Sequence, residues 1–266
     1  MSERTTREAV VDYARRLHAR GWVANHDGNV TARLTEGRFI ATPTATSKAA
    51  VTTESLIVVD ANGERIAGQG RPFGELGLHL TVYAGRPDVA AVVHAHPPAA
   101  TGIACAGSRI LEQPIIAEAV VSLGPAILTV PFAPPGRTAC DALAPYVGRC
   151  DAVLLANHGV MAWGASVEQA YLRLELVEHL ARVAREAERA GGLRPLPTTA
   201  IPALLEARRK AGLGLAAEAA PISAPNRVVA CAPAPPGATV EVISPPTSDL
   251  ATIIREELGR VLGKPR

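Results

Sequence analysis

Residues 89–98 have the sequence VAAVVHAHPP, in which a short apolar run leads into two histidines and ends at two prolines. Valine favours extended backbone and proline cannot continue a hydrogen-bonded ladder, so the run predicts a buried strand that stops directly after His96. Because residues i and i+2 of a strand face the same side, His94 and His96 should point together. The stretch therefore indicates a core strand that ends in two imidazoles on one face.

A second apolar run, over residues 152–156, leads to another histidine. His158 follows this predicted strand, and Gly159 permits a tight turn there. A third imidazole from a separate strand end can complete a three-nitrogen cage, which is a usual way to hold a catalytic Zn²⁺ with one position open. We therefore predict that His94, His96 and His158 bind one Zn²⁺, or another divalent cation, in each subunit.

The rest of the first two hundred residues alternates between helical and extended patterns. The predicted elements are an amphipathic helix over 5–20, a hairpin over 28–42, a strand over 56–60, a helix over 76–84 and a long helix over 166–190. Thr5 and Glu8 form the expected capping box of the first helix, and Ser166 is the expected cap of the last. Strands and helices that alternate around one sheet predict an α/β domain.

The composition changes after Gly192, because ten of the 22 prolines fall between Pro195 and Pro246. A modest helix is predicted near 200–211, and the basic run 208–210 is interpreted as its solvated end. We predict a main domain over 1–213, a flexible Pro/Ala-rich linker over 214–246 and an amphipathic helix over 247–266. An isolated helix of that length is marginal in water, so its apolar stripe should need a partner surface.

The composition excludes two broad classes of function. The net charge is +2 and aromatic residues make up 3% of the chain, so we expect no nucleic-acid surface. No apolar run approaches the roughly 18 residues that a membrane span requires, so we expect no membrane partner. Four cysteines without a CxxC pair, together with the lack of a secretory signal, predict a cytoplasmic protein.

Six motifs occur in order within the α/β region. They are Gly28-Asn29-Val30-Thr31, Thr42-Pro43-Thr44, Glu75 with the helix through His79, Arg86-Pro87-Asp88-Val89, His94-Ala95-His96 and Asn157-His158-Gly159. Together they resemble the class II aldolase/adducin family, in particular its fuculose-phosphate aldolase-like members. The resemblance implies a three-layer α/β/α fold around a mostly antiparallel sheet, and a homotetramer with active sites at the subunit borders.

The resemblance also implies roles for individual residues. His94, His96 and His158 would ligate Zn²⁺, and Glu75 would be the catalytic acid/base beside the metal. The substrate-binding residues would be Asn29, Thr31, Thr44 and Gly74. The chemistry agrees independently, because cleaving a carbon–carbon bond beside a carbonyl leaves an enediolate, which needs a Lewis acid and a nearby carboxylate to move a proton.

The chain departs from the family pattern in three places. Ala45 replaces the glycine of a Thr-Pro-Thr-Gly loop, and Phe73-Gly74 replaces a pair of serines that bind phosphate. The second change removes two hydroxyl donors and adds an apolar ring, which leaves open whether the substrate carries phosphate. No tyrosine lies between residues 109 and 124 to act as the family's proton donor, but Glu118 lies near the corresponding place.

Some polar residues also allow a plainer interpretation. For His79, His18 and His179 we expect structural roles, with a hydrogen bond from His79 to the framework of the site. His26 could lie at the surface or contact the substrate. Asn29 could favour a left-handed turn beside Gly28 or bind the substrate.

The predicted function is zinc-dependent retro-aldol cleavage of a small hydroxy-ketone, with or without phosphate. The same site could instead decarboxylate a hydroxylated acid, or act as an epimerase or dehydratase, because these reactions pass through a similar enolate. A non-catalytic binding module of the adducin type is the alternative from another class. Residues 247–264 are similar to the encapsulation peptides that bind bacterial microcompartment shell proteins, and this resemblance implies a location inside such a compartment.

Overall fold

The computed structural model describes residues 2–35 and 37–214 of the chain. The predicted linker beyond residue 214 and the predicted C-terminal helix over 247–266 lie outside the described residues. The shell-protein contact expected for 247–264 lies outside them as well. Among the described helices, none combines the length and the apolar character that a membrane crossing requires.

One mixed sheet occupies the centre of the described residues. Its strands are β1 Asn29–Thr35, β2 Arg38–Ala41, β3 Ile57–Asp60, β4 Arg65–Ala67, β5 Ala91–Ala95, β6 Leu128–Val130, β7 Ala152–Leu155 and β8 Gly159–Gly164. They are arranged in the order β4-β3-β2-β1-β5-β8-β7-β6. Each neighbouring pair is antiparallel except β6 with β7, so the mostly antiparallel sheet is confirmed.

Helices cover both faces of this sheet. They are α1 Glu3–Ala19, α2 Leu76–Gly85, α3 Pro98–Cys105, α4 Ala117–Leu123, α5 Arg137–Val147, α6 Val167–Arg189 and α7 Ile201–Lys210. Successive residues of β5 show the two-sided burial, since Val93 packs with α1 and α6 in one apolar cluster and Val92 packs with α2 and α5 in another. The expected three-layer α/β/α arrangement is therefore confirmed.

The first helix begins earlier than its sequence pattern suggested. Ser2 is the N-cap of α1, and its side chain accepts a hydrogen bond from the backbone N–H of Thr5. The prediction that Thr5 caps the helix was therefore wrong. A serine hydroxyl satisfies one of the free N–H groups of the first turn, so the helix gains almost one further turn.

The end of α7 differs from its predicted solvated character. Arg209 and Lys210 are exposed, but Arg208 is buried, and the interpretation of residues 208–210 was wrong for Arg208. Its guanidinium donates to Asp151 across 2.7 Å, and Arg86 and Arg173 lie 3.1 and 3.0 Å from the same carboxylate. A buried charge needs such partners, so these contacts hold α7 against the segments that carry Asp151, Arg86 and Arg173.

Candidate metal centre

Four side chains converge where the end of β5, the β7–β8 turn and the start of α2 meet. They are Glu75, His94, His96 and His158, and one ligand atom from each lies within 4.8 Å of the others. The Nε2 atoms of His94 and His96 are 3.1 Å apart. Nε2 of His158 lies 2.6 Å from Oε1 of Glu75. The sequence-predicted set is thus brought together from three separate segments.

Strand pairing fixes the orientation of His94. In the sheet, His94 stands opposite Asn29 of β1 on one side and Met161 of β8 on the other. Its Nδ1 lies 2.9 Å from the carbonyl oxygen of Val160. Because a carbonyl oxygen can only accept, Nδ1 carries the proton and Nε2 presents its lone pair to the cluster.

The turn between β7 and β8 presents His158. Asn157 has a φ of 56°, the left-handed conformation that asparagine tolerates better than most residues. A Cβ atom on Gly159 would lie 2.6 Å from the carbonyl oxygen of Ala95. Asn157 therefore makes the left-handed bend, and the glycine is needed because β8 approaches the end of β5 closely.

Glu75 is held in its ionised form directly before α2. Asn29 donates its side-chain N–H to Oε2 of Glu75 across 2.6 Å. Burial by itself would raise the pKa of this carboxyl, but the neighbouring imidazoles of His94 and His158 outweigh it and hold the pKa well below its usual range. A charged carboxylate therefore lies beside the three histidines.

The donor set fits a divalent cation. Zn–N bonds of about 2.0–2.1 Å at tetrahedral angles would separate two ligand nitrogens by about 3.3 Å. The observed separation between His94 and His96 is close to that spacing, at 3.1 Å. Burial lowers the pKa of His94 to about 4, so its ring is neutral and free to bind a cation at neutral pH. Three imidazoles with a carboxylate alongside therefore suggest a divalent metal ion.

Next to this cluster, His79 occupies a fully buried position under the sheet. Thr31 is also fully buried, and its hydroxyl lies 2.9 Å from both Nδ1 of His79 and the hydroxyl of Tyr83. The ring of Phe73 packs edge-on against His79 with 5.1 Å between centroids. The hydroxyl of Thr31 is therefore engaged inside the protein, and the ring of Phe73 packs into the core.

The remaining predicted site residues lie at different depths. Asn29 is buried, Thr44 is half-buried, and Gly74 is exposed with open space where a side chain would be. His26 is exposed on its loop. Glu118 is exposed in the first turn of α4, and the described contacts do not join it to the four-residue cluster. His18 and His179 are exposed on α1 and α6, away from the described contacts of the cluster.

Two further residues near the cluster were missed by the sequence reasoning. Oδ2 of Asp27 lies 3.6 Å from Nδ1 of His96. Lys48 is 2% exposed, and its ammonium donates to the backbone carbonyls of His26 and Thr46, at 3.0 Å each. Neither residue belongs to a recognisable ligand pattern, because the contacts join loops that are distant in the chain.

Comparisons with known proteins agree with this architecture. The sequence-family model of the Class II Aldolase and Adducin N-terminal domain matches residues 8–185 of this chain. A 5-deoxy-D-ribulose 1-phosphate aldolase from Bacillus thuringiensis serovar kurstaki is 30% identical over 194 residues, which are 72% of this chain and 89% of the relative. A methylthioribulose-1-phosphate dehydratase from Gluconacetobacter diazotrophicus is 32% identical over 191 residues, covering 64% of this chain and 88% of the relative.

Other similar proteins extend the range of named reactions. A 3-oxo-tetronate 4-phosphate decarboxylase from Escherichia coli strain K12 is 29% identical over 184 residues, covering 68% of this chain and 86% of the relative. The crystal structure of YgbL from Klebsiella pneumoniae is similar with a TM-score of 0.71 and 30% identity, covering 77% of this chain and 99% of YgbL. The chain is thus similar to proteins named for different reactions at small phosphorylated sugars and acids.

Proposed function

The chain belongs to the class II aldolase and adducin family, and we propose that it is a zinc-dependent lyase. Its reaction would be retro-aldol cleavage of a carbon–carbon bond in a small hydroxy-ketone. The observation that carries this proposal is the convergence of Glu75 with three histidines, whose ligand atoms lie within 4.8 Å of one another. A non-catalytic module would have no need for such a costly concentration of polar groups.

In this proposal His94, His96 and His158 hold the cation. Zn²⁺, or another divalent ion, would supply Lewis-acid stabilisation of the negative charge that develops on substrate oxygens. The carbonyl of Val160 keeps the Nδ1 proton of His94 in place, 2.9 Å away, so that Nε2 stays available. The protein thereby sets the ring orientation before a ligand arrives.

As the carbon–carbon bond breaks, Glu75 would accept the proton of the substrate hydroxyl, and it would then return that proton to the carbon where charge develops. Its low pKa makes it a carboxylate at neutral pH, which is the form that accepts a proton. Asn29 holds Oε2 from one side by a 2.6 Å hydrogen bond, so the carboxylate cannot rotate freely. Restricting its rotation keeps the second oxygen aimed at the histidine cluster.

The proposed substrate is a hydroxy-carbonyl compound, with or without a phosphate group. Asn29, at the start of β1, and Thr44, on the loop after β2, would lie beside it, and the open space beside Gly74 leaves room for it. The named relatives act on phosphorylated compounds, but this chain lacks the serine pair of the family at residues 73–74. A direct role of Glu118, His26 or Thr31 in binding remains a prediction.

Assembly and location complete the proposal. We propose a cytoplasmic homotetramer with active sites at subunit borders, as the family resemblance implies. The division into a main domain over 1–213, a linker over 214–246 and a C-terminal segment over 247–266 stays a prediction. Binding of residues 247–264 to a microcompartment shell protein is part of the same proposal.

Decarboxylation is the second candidate reaction. A relative named as a decarboxylase covers 68% of this chain, and loss of carbon dioxide from a hydroxylated acid with a carbonyl β to its carboxylate also produces an enolate. The same cation and carboxylate would serve both reactions. Epimerase or dehydratase chemistry is a further variation, which the dehydratase name among the relatives supports.

Metal analysis and a product assay test these proposals. The purified protein should carry one Zn²⁺ per subunit, and a panel of sugar phosphates, free sugars and hydroxy acids should release either aldehyde or carbon dioxide. Replacing Glu75 by Gln should lower kcat by about 10²–10⁴-fold while the metal is retained. Replacing His158 by Gln should remove the metal. Replacing the exposed Glu64 by Gln is the control and should change neither kcat nor metal content. A protein without stoichiometric metal would contradict the lyase proposal.

A further inference from the structure

We propose that Asp27 is a positioning residue for the metal centre, which orients the imidazole of His96 through Nδ1 and is itself held in place by Lys48. This inference rests on the proposed metal-dependent function. It concerns two residues outside the four-residue cluster, and it explains why a loop that contributes no ligand is fixed beside that cluster.

The two nitrogens of His96 face different partners. Nε2 lies 3.1 Å from Nε2 of His94, inside the cluster. Nδ1 lies 3.6 Å from Oδ2 of Asp27, outside it. A carboxylate accepts hydrogen bonds only, so its presence at Nδ1 favours the tautomer that carries the proton there. Nε2 is then left with a free lone pair toward the cluster.

His94 and His96 are thus oriented by different means. The carbonyl of Val160 accepts from Nδ1 of His94, and it belongs to a rigid neighbouring strand. His96 lies just beyond the end of β5, where no strand neighbour offers such a carbonyl to Nδ1 among the described hydrogen bonds. At 3.6 Å the carboxylate of Asp27 is beyond hydrogen-bond distance, so it acts on Nδ1 of His96 through its charge, whereas the carbonyl of Val160 accepts a hydrogen bond from His94. An outer carboxylate on a ligating histidine also raises the basicity of the ring.

Lys48 fixes the loop that carries Asp27. Its ammonium donates to the carbonyl of His26, the residue before Asp27, and to the carbonyl of Thr46. The side chain is 2% exposed, yet within the described residues it forms no ion pair. Burying an ammonium without a direct counter-ion is costly, and burial lowers its pKa accordingly. The negative charges of Asp27 and Glu75 act against that shift, so the carboxylates near the cluster compensate the buried ammonium.

Asp27 is a suitable position for substitution, because its side chain is 46% exposed and contributes little to core packing. We would prepare Asp27→Ala, which removes the acceptor, and Asp27→Asn, which keeps an acceptor oxygen but removes the charge. Metal affinity is measured by competition with a chromogenic chelator for Zn²⁺. The visible absorption spectrum of the Co²⁺-substituted protein reports the ligand geometry directly.

The expected result is a 10–100-fold loss of Zn²⁺ affinity in Asp27→Ala, a smaller loss in Asp27→Asn, and an altered Co²⁺ spectrum. The thermal midpoint of the metal-free protein should fall slightly and equally in both variants, because each removes the charge of Asp27 near Lys48. Lys48→Met should also lower Zn²⁺ affinity. If this variant does not fold, the two Asp27 variants alone test the positioning role. Asp12→Asn, at an exposed carboxylate paired with Arg16 on α1, is the matched control and should have no effect.

Two outcomes separate this inference from the proposed function. If the unmodified protein binds Zn²⁺ and both Asp27 variants bind it equally well with the same Co²⁺ spectrum, the positioning role is wrong and the metal centre stands. If the unmodified protein binds no metal, the proposed function fails and the inference fails with it.

Discussion

The backbone of Gly159 lies directly against the ring of His96. A Cβ atom added to Gly159 would stand 2.6 Å from Cδ2 of His96 and 2.6 Å from the carbonyl oxygen of Ala95. The first neighbour is a proposed metal ligand, and the second is backbone that cannot move aside cheaply. The close approach of β8 to the end of β5 therefore depends on the lack of a side chain at this position.

Replacing Gly159 by Ala should displace His96 and weaken metal binding. Overpacking a buried contact of this kind costs about 1–3 kcal/mol in the free energy of unfolding. A misplaced ligand should lower Zn²⁺ affinity by at least about tenfold. Chelator competition and urea denaturation would measure the two effects.

Gly148→Ala is the matched control for this prediction. Gly148 has a φ of −75°, and no heavy atom of the described residues lies within 4 Å of an added Cβ, so alanine fits there without strain. It should leave metal affinity unchanged. Equal Zn²⁺ affinities in Gly159→Ala and Gly148→Ala would show that the contact with His96 is unimportant.

His79 should make the metal-free protein sensitive to acid. Burial lowers its pKa to about 3 from the ordinary value of 6.5. Between those values the unfolded chain binds a proton that the folded chain excludes, so the free energy of unfolding falls as pH falls below 6.5. At about pH 5 the loss from this one residue should be about 2 kcal/mol relative to about pH 7.

Replacing His79 by Asn isolates this effect. Asparagine does not titrate, and its amide can keep a hydrogen bond to Thr31 in place of Nδ1. Urea denaturation of the chelator-treated protein at both pH values gives the comparison. The variant should lose about 2 kcal/mol less than the unmodified protein, since His94 contributes equally to both. Identical pH dependences would exclude His79 as the acid-sensitive group.

The parts of the site that the sequence predicts are those with a local pattern. His94 and His96 follow a β-branched run and precede prolines, so strand periodicity places them on one face, and His158 follows another such run at the turn before Gly159. Asp27 and Lys48 have no such pattern. Their positions depend on two loops meeting in space, and only tertiary packing decides that.

The same limit applies to burial of charge. A basic run at a helix end is usually solvated, and nothing adjacent to Arg208 indicates that Asp151 lies opposite it, 57 residues earlier in the chain. Phe73 also lies elsewhere than its motif suggests. It replaces a phosphate-binding serine of the family, and this position suggested that its ring would face the substrate. The ring instead packs on His79, since an apolar ring gains more from burial than from exposure.

Ala45 should be a strained position. Its φ is 54°, in the left-handed region that costs a residue with a Cβ about 1–2 kcal/mol. The family pattern has glycine here, and glycine adopts this conformation freely. Ala45→Gly should therefore raise the free energy of unfolding by up to about 1 kcal/mol, after the entropy of the more flexible unfolded chain is subtracted.

The exposed Ala49, in the short 3₁₀ helix Lys48–Ala50, gives a control with the opposite sign. The φ angle of Ala49 is not positive, so alanine is unstrained there. Ala49→Gly should therefore lower the free energy of unfolding by about 0.5–1 kcal/mol. Both values come from urea denaturation. Destabilisation of similar size by both changes would refute the strain at Ala45.

Arg208 and its neighbour Arg209 should differ sharply in their contribution to stability. Arg208 donates to the fully buried Asp151 and to the backbone carbonyl of Val121, at 2.7 and 3.0 Å. Arg208→Ala removes one of three cations around a buried carboxylate and should cost about 3 kcal/mol in the free energy of unfolding. Within the described part of the chain, Arg209 pairs only with the exposed Glu206 on its own helix, so Arg209→Ala should cost less than about 0.5 kcal/mol. Urea denaturation measures both, and limited proteolysis should cut α7 faster in the Arg208 variant alone. Equal protease sensitivity in the two variants would mean that the Asp151 cluster does not hold α7 in place.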